Sequence, residues 1–124
     1  MNAPTLYHFT CEDHGAPGIR KKGLAIPHRG MTPTPVVWLT DDPDATREEL
    51  GLSSHSLTCD RMQVLFAAEG CRRAMPWREY KALRGLMIGV RELLEVPGCD
   101  PAKWWVCERP VLVVEVPKGA APNE

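Results

Sequence analysis

The sequence predicts a single α+β domain with a largely antiparallel sheet and two or three helices. Short stretches rich in β-branched and aromatic residues, which are typical of strands, recur along the chain. Twelve prolines divide the chain into short pieces. Strands do not alternate regularly with long helices, as they would in a doubly wound parallel sheet. The 124 residues are a common size for one domain, so we expect one unit over 1–124, with residues 117–124 a frayed tail.

The first half of the chain predicts two strands and two helices. Residues 5–10 (TLYHFT) and 36–40 (VVWLT) have strand composition. Residues 12–22 predict a helix that ends at Gly23, where glycine allows a left-handed backbone. Residues 41–50 open with aspartates and a proline, which are typical of a helix start, and predict a short helix.

The second half predicts further strands and the longest helix. Residues 56–58, 63–68, 104–107 and 111–116 have strand composition. Residues 76–95 predict a helix, although two glycines within it disfavour a continuous one. Its apolar residues recur every three or four positions and form an expected core stripe: Trp77, Tyr80, Leu83, Met87, Val90 and Leu94.

Composition and charge exclude several classes of protein. The formal net charge of −1 disfavours a generic nucleic-acid binder, which would show a basic excess. No apolar run approaches the ~20 residues of a membrane span, and the first ten residues have no signal-peptide pattern. We therefore expect a cytoplasmic protein without a membrane partner.

The cysteines predict neither a zinc site nor a disulfide framework. They are five in number, irregularly spaced, and lack a C-x-x-C pair or an H-x-x-x-H partner. We expect free thiols in a reducing compartment and no bound metal. A catalytic cysteine would need a histidine near it in space, which a sequence alone does not show.

The familiar catalytic motifs are absent, so the candidate chemistry rests on polar strand residues. There is no glycine-rich phosphate loop, no G-x-S-x-G and no H-E-x-x-H. Within a strand, His8 shares a face with Thr10, and Trp38 shares a face with Thr40. Two such strands side by side would present hydrogen-bonding groups beside an indole. The alternative is that His8 is a structural histidine with satisfied hydrogen bonds.

These residues resemble a known family. The run LYHFT (residues 6–10), followed by Ile19 and Gly23-Leu24, resembles the opening of the ADP-ribosyltransferase superfamily, whose first strand carries H-x-T or H-x-S. Residues 36–42 are similar to its second element, in which an aromatic leads a strand into a helix. The resemblance is closest to the histidine–aromatic–glutamate branch, which includes diphtheria toxin and the poly-ADP-ribose polymerases. It covers residues 5–50 and, more loosely, 103–116.

The resemblance implies a split, mostly antiparallel sheet and cleavage of NAD at its nicotinamide–ribose bond. ADP-ribose would pass to a macromolecular acceptor, a protein or a nucleic acid; small phage and bacterial members act as toxins or anti-defence proteins. By position, His8 would hold the adenosine ribose and Thr10 would recognise nicotinamide. Trp38 would line the pocket, with Thr40 beside it. Arg61 either forms a surface ion pair with its neighbour Asp60 or lies near a cofactor phosphate.

The resemblance also implies a catalytic glutamate at the beginning of a late strand. Glu108, just ahead of the predicted strand 111–116, is the preferred candidate, and Glu115 at its far end is the alternative. A carboxylate suits this chemistry because positive charge develops on the ribose in the transition state. Two features depart from the family: residues 47–50 lack its second tyrosine, and Phe9 stands where a glycine is common.

Two other functions remain open. One is a binding module of the same fold without catalysis, such as an inhibitor that acts by contact, which the absent second tyrosine favours. The other is an RNA 2′-phosphotransferase, a relative with a similar first-strand motif. It needs paired arginines and further histidines, whereas His14, His28 and His55 lie in predicted loops.

Overall fold

The computed structural model describes residues 4–28, 30, 32–52, 60–69, 71–86, 88, 91 and 94–117. The elements along the chain are β1 (Leu6–Thr10), α1 (Gly15–Lys22), β2 (Leu24–Ala25), β3 (Val37–Thr40), β4 (Val64–Ala68), β5 (Met75–Pro76), α2 (Trp77–Leu83), a 3-10 helix (Pro101–Lys103), β6 (Trp104–Cys107), β7 (Val111–Leu112) and β8 (Val114–Glu115).

Six of the strands form one antiparallel sheet in the order β5-β6-β3-β1-β4-β8, and β2 pairs with β7 in a second, two-stranded sheet. The predicted α+β class and antiparallel pairing are confirmed. The strands predicted at 5–10, 36–40, 63–68 and 104–107 are confirmed as β1, β3, β4 and β6. The short strands β2 and β5 were not predicted, because two residues carry no periodic signal.

One face of the six-stranded sheet packs against α1 and the two-stranded sheet. The buried cluster on this face includes Leu6 and Phe66 of the sheet and Ile19 of α1. The helix ends as predicted, since Gly23 takes φ 70° and its N–H bonds to the carbonyl of Ile19.

The other face packs against α2 and is rich in aromatic rings. Trp77 and Tyr80 of α2 are buried against Trp104 and Val106 of β6. The neighbours Trp104 and Trp105 point to opposite faces of the sheet, since they belong to different clusters. The sheet is therefore the middle layer of the molecule, and any site must lie at its ends, edges or gaps.

The helix predicted over residues 41–50 is wrong, because this segment forms turns. Thr46 and Glu49 form a reciprocal capping box, in which Thr46 N–H donates to Glu49 Oε1 (2.8 Å) and Glu49 N–H donates to Thr46 Oγ1 (3.2 Å). The turn that they start ends at once, at Gly51 with φ 69°. Lys103 bonds both Asp42 and Glu49, so tertiary ion pairs hold the segment as a loop.

Two other predicted elements differ from the structure. In place of one continuous helix over residues 76–95, α2 ends at Leu83, since Gly85 takes a left-handed φ of 58°, and the described residues 88, 91 and 94 are helical again. Leu83 is exposed where a core position was expected, and Met87 and Val90 of the expected core stripe lie outside the described residues. The strand predicted over 111–116 is two strands, β7 and β8, which belong to different sheets. The strand predicted at 56–58 lies outside the described residues.

Candidate functional site

The hydrogen-bonded ladder between β1 and β3, in the centre of the sheet, is short. β1 pairs with β4 at five positions but with β3 at one, Tyr7 with Thr40. Beyond it, His8 Nδ1–H donates a hydrogen bond to the carbonyl oxygen of Trp38 (2.8 Å). At this point a hydrogen bond from a side chain replaces the backbone hydrogen bonds that would continue the pairing of β1 with β3. We call this place, between His8 and residues 36–38 at the start of β3, the β1–β3 opening.

The hydrogen bond of His8 fixes its tautomer. A carbonyl oxygen only accepts, so Nδ1 must carry the proton. Burial lowers the pKa of His8, and electrostatic interactions with His28 and Arg61 lower it further, against the opposing effect of the Trp38 hydrogen bond. His8 is therefore neutral near pH 7, with a lone pair on Nε2. Among the described residues, none bonds to Nε2. The ring can accept a hydrogen bond from a ligand hydroxyl.

His28 lies along the same edge of β3 as His8. Its N–H donates to the carbonyl oxygen of Val36 (3.2 Å), two residues before Trp38. Carbonyls two residues apart on an extended strand point the same way, about 7 Å apart at ~3.3 Å per residue. The two contacts therefore set the histidines one after the other along the opening. No local pattern indicates this position of His28, because the loop that carries His28 must first fold back onto Val36.

Glu108 lies at the same end of β3, on its other side. Cys107, the last residue of β6, pairs with Val37, the first residue of β3, and Glu108 follows directly. Glu108 thus follows the last residue of β6 and stands three residues ahead of β7, which begins at Val111. The start of β3 thus has His28 on one side and Glu108 on the other, across roughly two strand spacings, or about 10 Å.

The carboxylate of Glu108 is held by two side chains of the α2 region. The Tyr80 hydroxyl donates to Oε2 (2.8 Å), and the Arg84 guanidinium donates to both oxygens. The hydrogen bond from Arg84 is the main cause of the lowered pKa of Glu108. Burial and the Glu108 charge raise the pKa of Tyr80 to about 12. Glu108 is therefore ionised at neutral pH and stays partly open to solvent.

Trp38 lies on the same face as Tyr80 and Glu108. Its ring is 5.0 Å from Trp77 and 5.7 Å from Trp104, in tilted and edge-on contacts. His8 lies on the opposite face, because its neighbour Tyr7 pairs with Thr40, which shares the face of Trp38. The predicted single patch of His8 beside the indole is therefore not formed; the two residues meet through the Trp38 carbonyl.

The hydroxyls of Thr10 and Thr40 have structural surroundings. Thr10 is 8% exposed, and its Oγ1 lies 1.8 Å from where a Cβ on Gly15 would stand, so helix α1 packs directly on it. Thr40 is 1% exposed, and its Oγ1 accepts a hydrogen bond from Asp42 N–H (3.2 Å). Both hydroxyls are therefore occupied by contacts within the fold, Thr10 with helix α1 and Thr40 with the turn that follows β3.

The remaining acids and the predicted arginine have separate positions. Asp60 bonds to Arg47 (2.7 Å) and not to its neighbour Arg61, whose charge reaches His8. Glu115 binds Arg20 through two hydrogen bonds of 2.7 and 2.9 Å, which lowers the pKa of Glu115. Glu115 is therefore a half-exposed ion-pair partner on the α1 face, two strands from His8.

One cysteine does have a histidine beside it. Cys11 Sγ lies 3.6 Å from His14 Nδ1 and accepts a hydrogen bond from His14 N–H (3.3 Å). Cys11 is only 3% exposed, so this contact orders the turn that leads into α1.

The part of the chain that the structure describes contains neither a metal-binding cluster nor a membrane-spanning helix. No group of three or more histidine, cysteine, aspartate or glutamate side chains is arranged to hold a metal ion there. Within the same part of the chain, no helix has the length and apolar character needed to cross a bilayer. Comparison with models of known protein families, with curated proteins and with solved structures gives no match.

Proposed function

We propose that the protein is a small ADP-ribosyltransferase-type enzyme, which cleaves the nicotinamide–ribose bond of NAD and modifies a macromolecular acceptor. The observation that carries the proposal is the arrangement of three strands. β1 and β3, which carry His8 and Trp38, and β6, which Glu108 directly follows, are consecutive neighbours in the middle of the sheet. Of the three residues that the family resemblance singles out, His8 bonds to the Trp38 carbonyl from one face of the sheet, and Trp38 and Glu108 lie on the other face.

The β1–β3 opening suits the adenosine and diphosphate part of NAD. The Nε2 lone pair of neutral His8 is a fixed acceptor for a ribose hydroxyl, because the Trp38 carbonyl orients the ring. The guanidinium of Arg61 places positive charge near it, where a phosphate would be favoured. The ring of Trp38 is half-buried on the Glu108 face, where it offers a flat surface to a heteroaromatic ring.

Glu108 suits the reacting part of NAD. A carboxylate accepts about four hydrogen bonds, and Tyr80 and Arg84 supply three. One acceptor position is thus open to a ribose hydroxyl, while the ionised group stabilises positive charge that develops on the sugar. In this proposal Arg84 and Tyr80 position the carboxylate, and no metal takes part in any step.

The experiment is to incubate the purified protein with NAD labelled in its adenine ring, alone and with mixed proteins or nucleic acids. Free nicotinamide and label bound to acceptor are measured together. The proposal expects nicotinamide release, with label on one class of acceptor. If saturating NAD with both acceptor classes gives no release above background, the protein is not an ADP-ribosyltransferase.

A binding module is the second candidate, and the Arg84–Glu108 contact favours it. The Glu108 carboxylate is already paired with the Arg84 guanidinium, as it would be in an ion pair with a purely structural role. In this alternative, NAD binds without turnover or does not bind, and the Trp38 face contacts a protein.

The positive charge of Arg61 near His8 also favours a phosphate-bearing substrate, as in RNA 2′-phosphotransferases. That function needs further histidines, and the predicted loop position of His28 disfavoured it. In the structure His28 pairs with Val36 and lies beside the β1–β3 opening. A 2′-phosphorylated RNA included among the acceptors separates the two reactions, since this enzyme would remove the phosphate.

A further inference from the structure

Two of the thiols come together at the end of β6. β5 and β6 are antiparallel, and Met75 lies opposite Val106. In the same register, Ala74 comes opposite Cys107. A turn at residues 72–73 brings Cys71 back over Ala74, and both pack against the buried cluster that contains Cys107. Cys71 therefore lies beside Cys107 on the same face of the sheet, and its thiol contributes to the raised pKa of Cys107.

The two thiols differ in exposure. Cys107 is 2% exposed, and its pKa is raised by burial and by the contact with Cys71. Cys71 is partly exposed, so a small oxidant can reach it. Of the other described thiols, Cys11 contacts His14 and Cys99 lies in the cluster on the opposite face, where burial raises its pKa.

We propose that Cys71 and Cys107 are a redox pair, which a peroxide closes to a disulfide. The Cys71 sulfur attacks one peroxide oxygen, the O–O bond breaks, and water leaves, which gives a sulfenic acid. The Cys107 sulfur then attacks the Cys71 sulfur. The new S–S bond forms as the S–O bond breaks, the Cys107 proton joins the leaving oxygen, and a second water is released. The two thiols are oxidised by two electrons, and the peroxide is reduced.

The disulfide would tie the turn of residues 71–74 to the end of β6. Glu108 is the next residue after Cys107, so the cross-link would form directly beside the candidate site. This inference does not rest on the proposed function, because it concerns the state of two thiols and needs no NAD.

The test is to treat the folded protein with hydrogen peroxide, alkylate the remaining thiols in acid, and analyse non-reduced peptides by mass spectrometry. The proposal expects one linked pair, Cys71 with Cys107, lighter by two hydrogens and separated by reductant. Cys99→Ser is the matched control and should keep this link, whereas Cys71→Ser should lose it.

Three outcomes would overturn the proposal. The first is a link that joins Cys71 or Cys107 to another cysteine in place of each other. The second is oxidation of Cys71 to sulfinic acid with Cys107 still alkylated. The third is unmodified Cys71 at a peroxide concentration that oxidises methionines.

Discussion

Neutralising Glu108 separates the catalytic account from the structural one. Glu108→Gln keeps the side-chain shape and one carbonyl oxygen that can accept from Tyr80, but it removes the negative charge. If the carboxylate stabilises positive charge on the ribose, nicotinamide release should fall by roughly 10²- to 10⁴-fold. NAD affinity should change only a few-fold, because the charge matters most in the transition state.

The structure predicts that the same substitution has little effect on stability. The Arg84–Glu108 pair is half exposed, with side-chain exposures of 43% and 26%, and exposed pairs contribute little. Tyr80→Phe is the matched control, since it removes the hydroxyl and keeps the carboxylate. It should cost about 1 kcal/mol of unfolding free energy for the lost hydrogen bond and much less turnover.

The assay is release of nicotinamide by the wild type and each variant at saturating NAD, with thermal unfolding measured in parallel. Glu115→Gln should leave turnover unchanged, since Glu115 binds Arg20 on the α1 face. If Glu115→Gln abolishes turnover and Glu108→Gln does not, the catalytic acid is Glu115. If Glu108→Gln lowers the melting temperature so far that the protein is unfolded under the assay conditions, the loss of turnover reflects lost stability, and Glu108 is a structural ion-pair partner.

Three further predictions follow from the packing and the pKa values. Gly15→Ala should destabilise the fold by about 1–3 kcal/mol in urea unfolding, because its Cβ would stand 1.8 Å from Thr10 Oγ1; an unchanged midpoint would refute this close approach. Combined with Thr10→Ala, the loss should be smaller than the sum of the two single losses. The folded-state pKa of His8 is lowered, so below its ordinary value of 6.5 the unfolded chain binds the proton more tightly. As the pH is lowered from 6.5 to about 5, which is above the carboxylate range, the free energy of unfolding should therefore fall. His8→Asn should make this pH dependence weaker. An equal pH dependence in the wild type and the variant would show that burial does not hold His8 neutral. Trp77→Ala, at a fully buried ring, should cost about 3–5 kcal/mol in urea unfolding, and a loss under half of that would contradict the aromatic cluster.

The elements that were predicted correctly carry their signal in a few adjacent residues. The strand at residues 37–40 has β-branched and aromatic residues throughout, and the end of α1 is marked by a glycine that takes φ 70°. The helix expected at residues 41–50 failed for a tertiary reason. Lys103, about sixty residues further along, pulls Asp42 and Glu49 together, and no local pattern shows this contact.

The candidate site was predicted in part. The strands of His8 and Trp38 are neighbours as expected, but a single ladder pair sets which side chains share a face. That register cannot be predicted from the sequence of either strand alone. His28 and the partners of Glu108 were missed for a similar reason, since loop folding and α2 packing bring them into place.

NAD binding by the wild type and by His8→Ala tests the central claim most directly, with His14→Ala as the matched histidine outside the β1–β3 opening. Calorimetric titration should show one saturable NAD site. His8→Ala should weaken it by roughly 5- to 30-fold, which corresponds to about 1–2 kcal/mol for one lost hydrogen bond, with the fold intact. His14→Ala should bind as the wild type does. No saturable binding to the wild type, or equal affinity in all three proteins with a lower melting temperature for His8→Ala, would contradict the account and make His8 a structural residue.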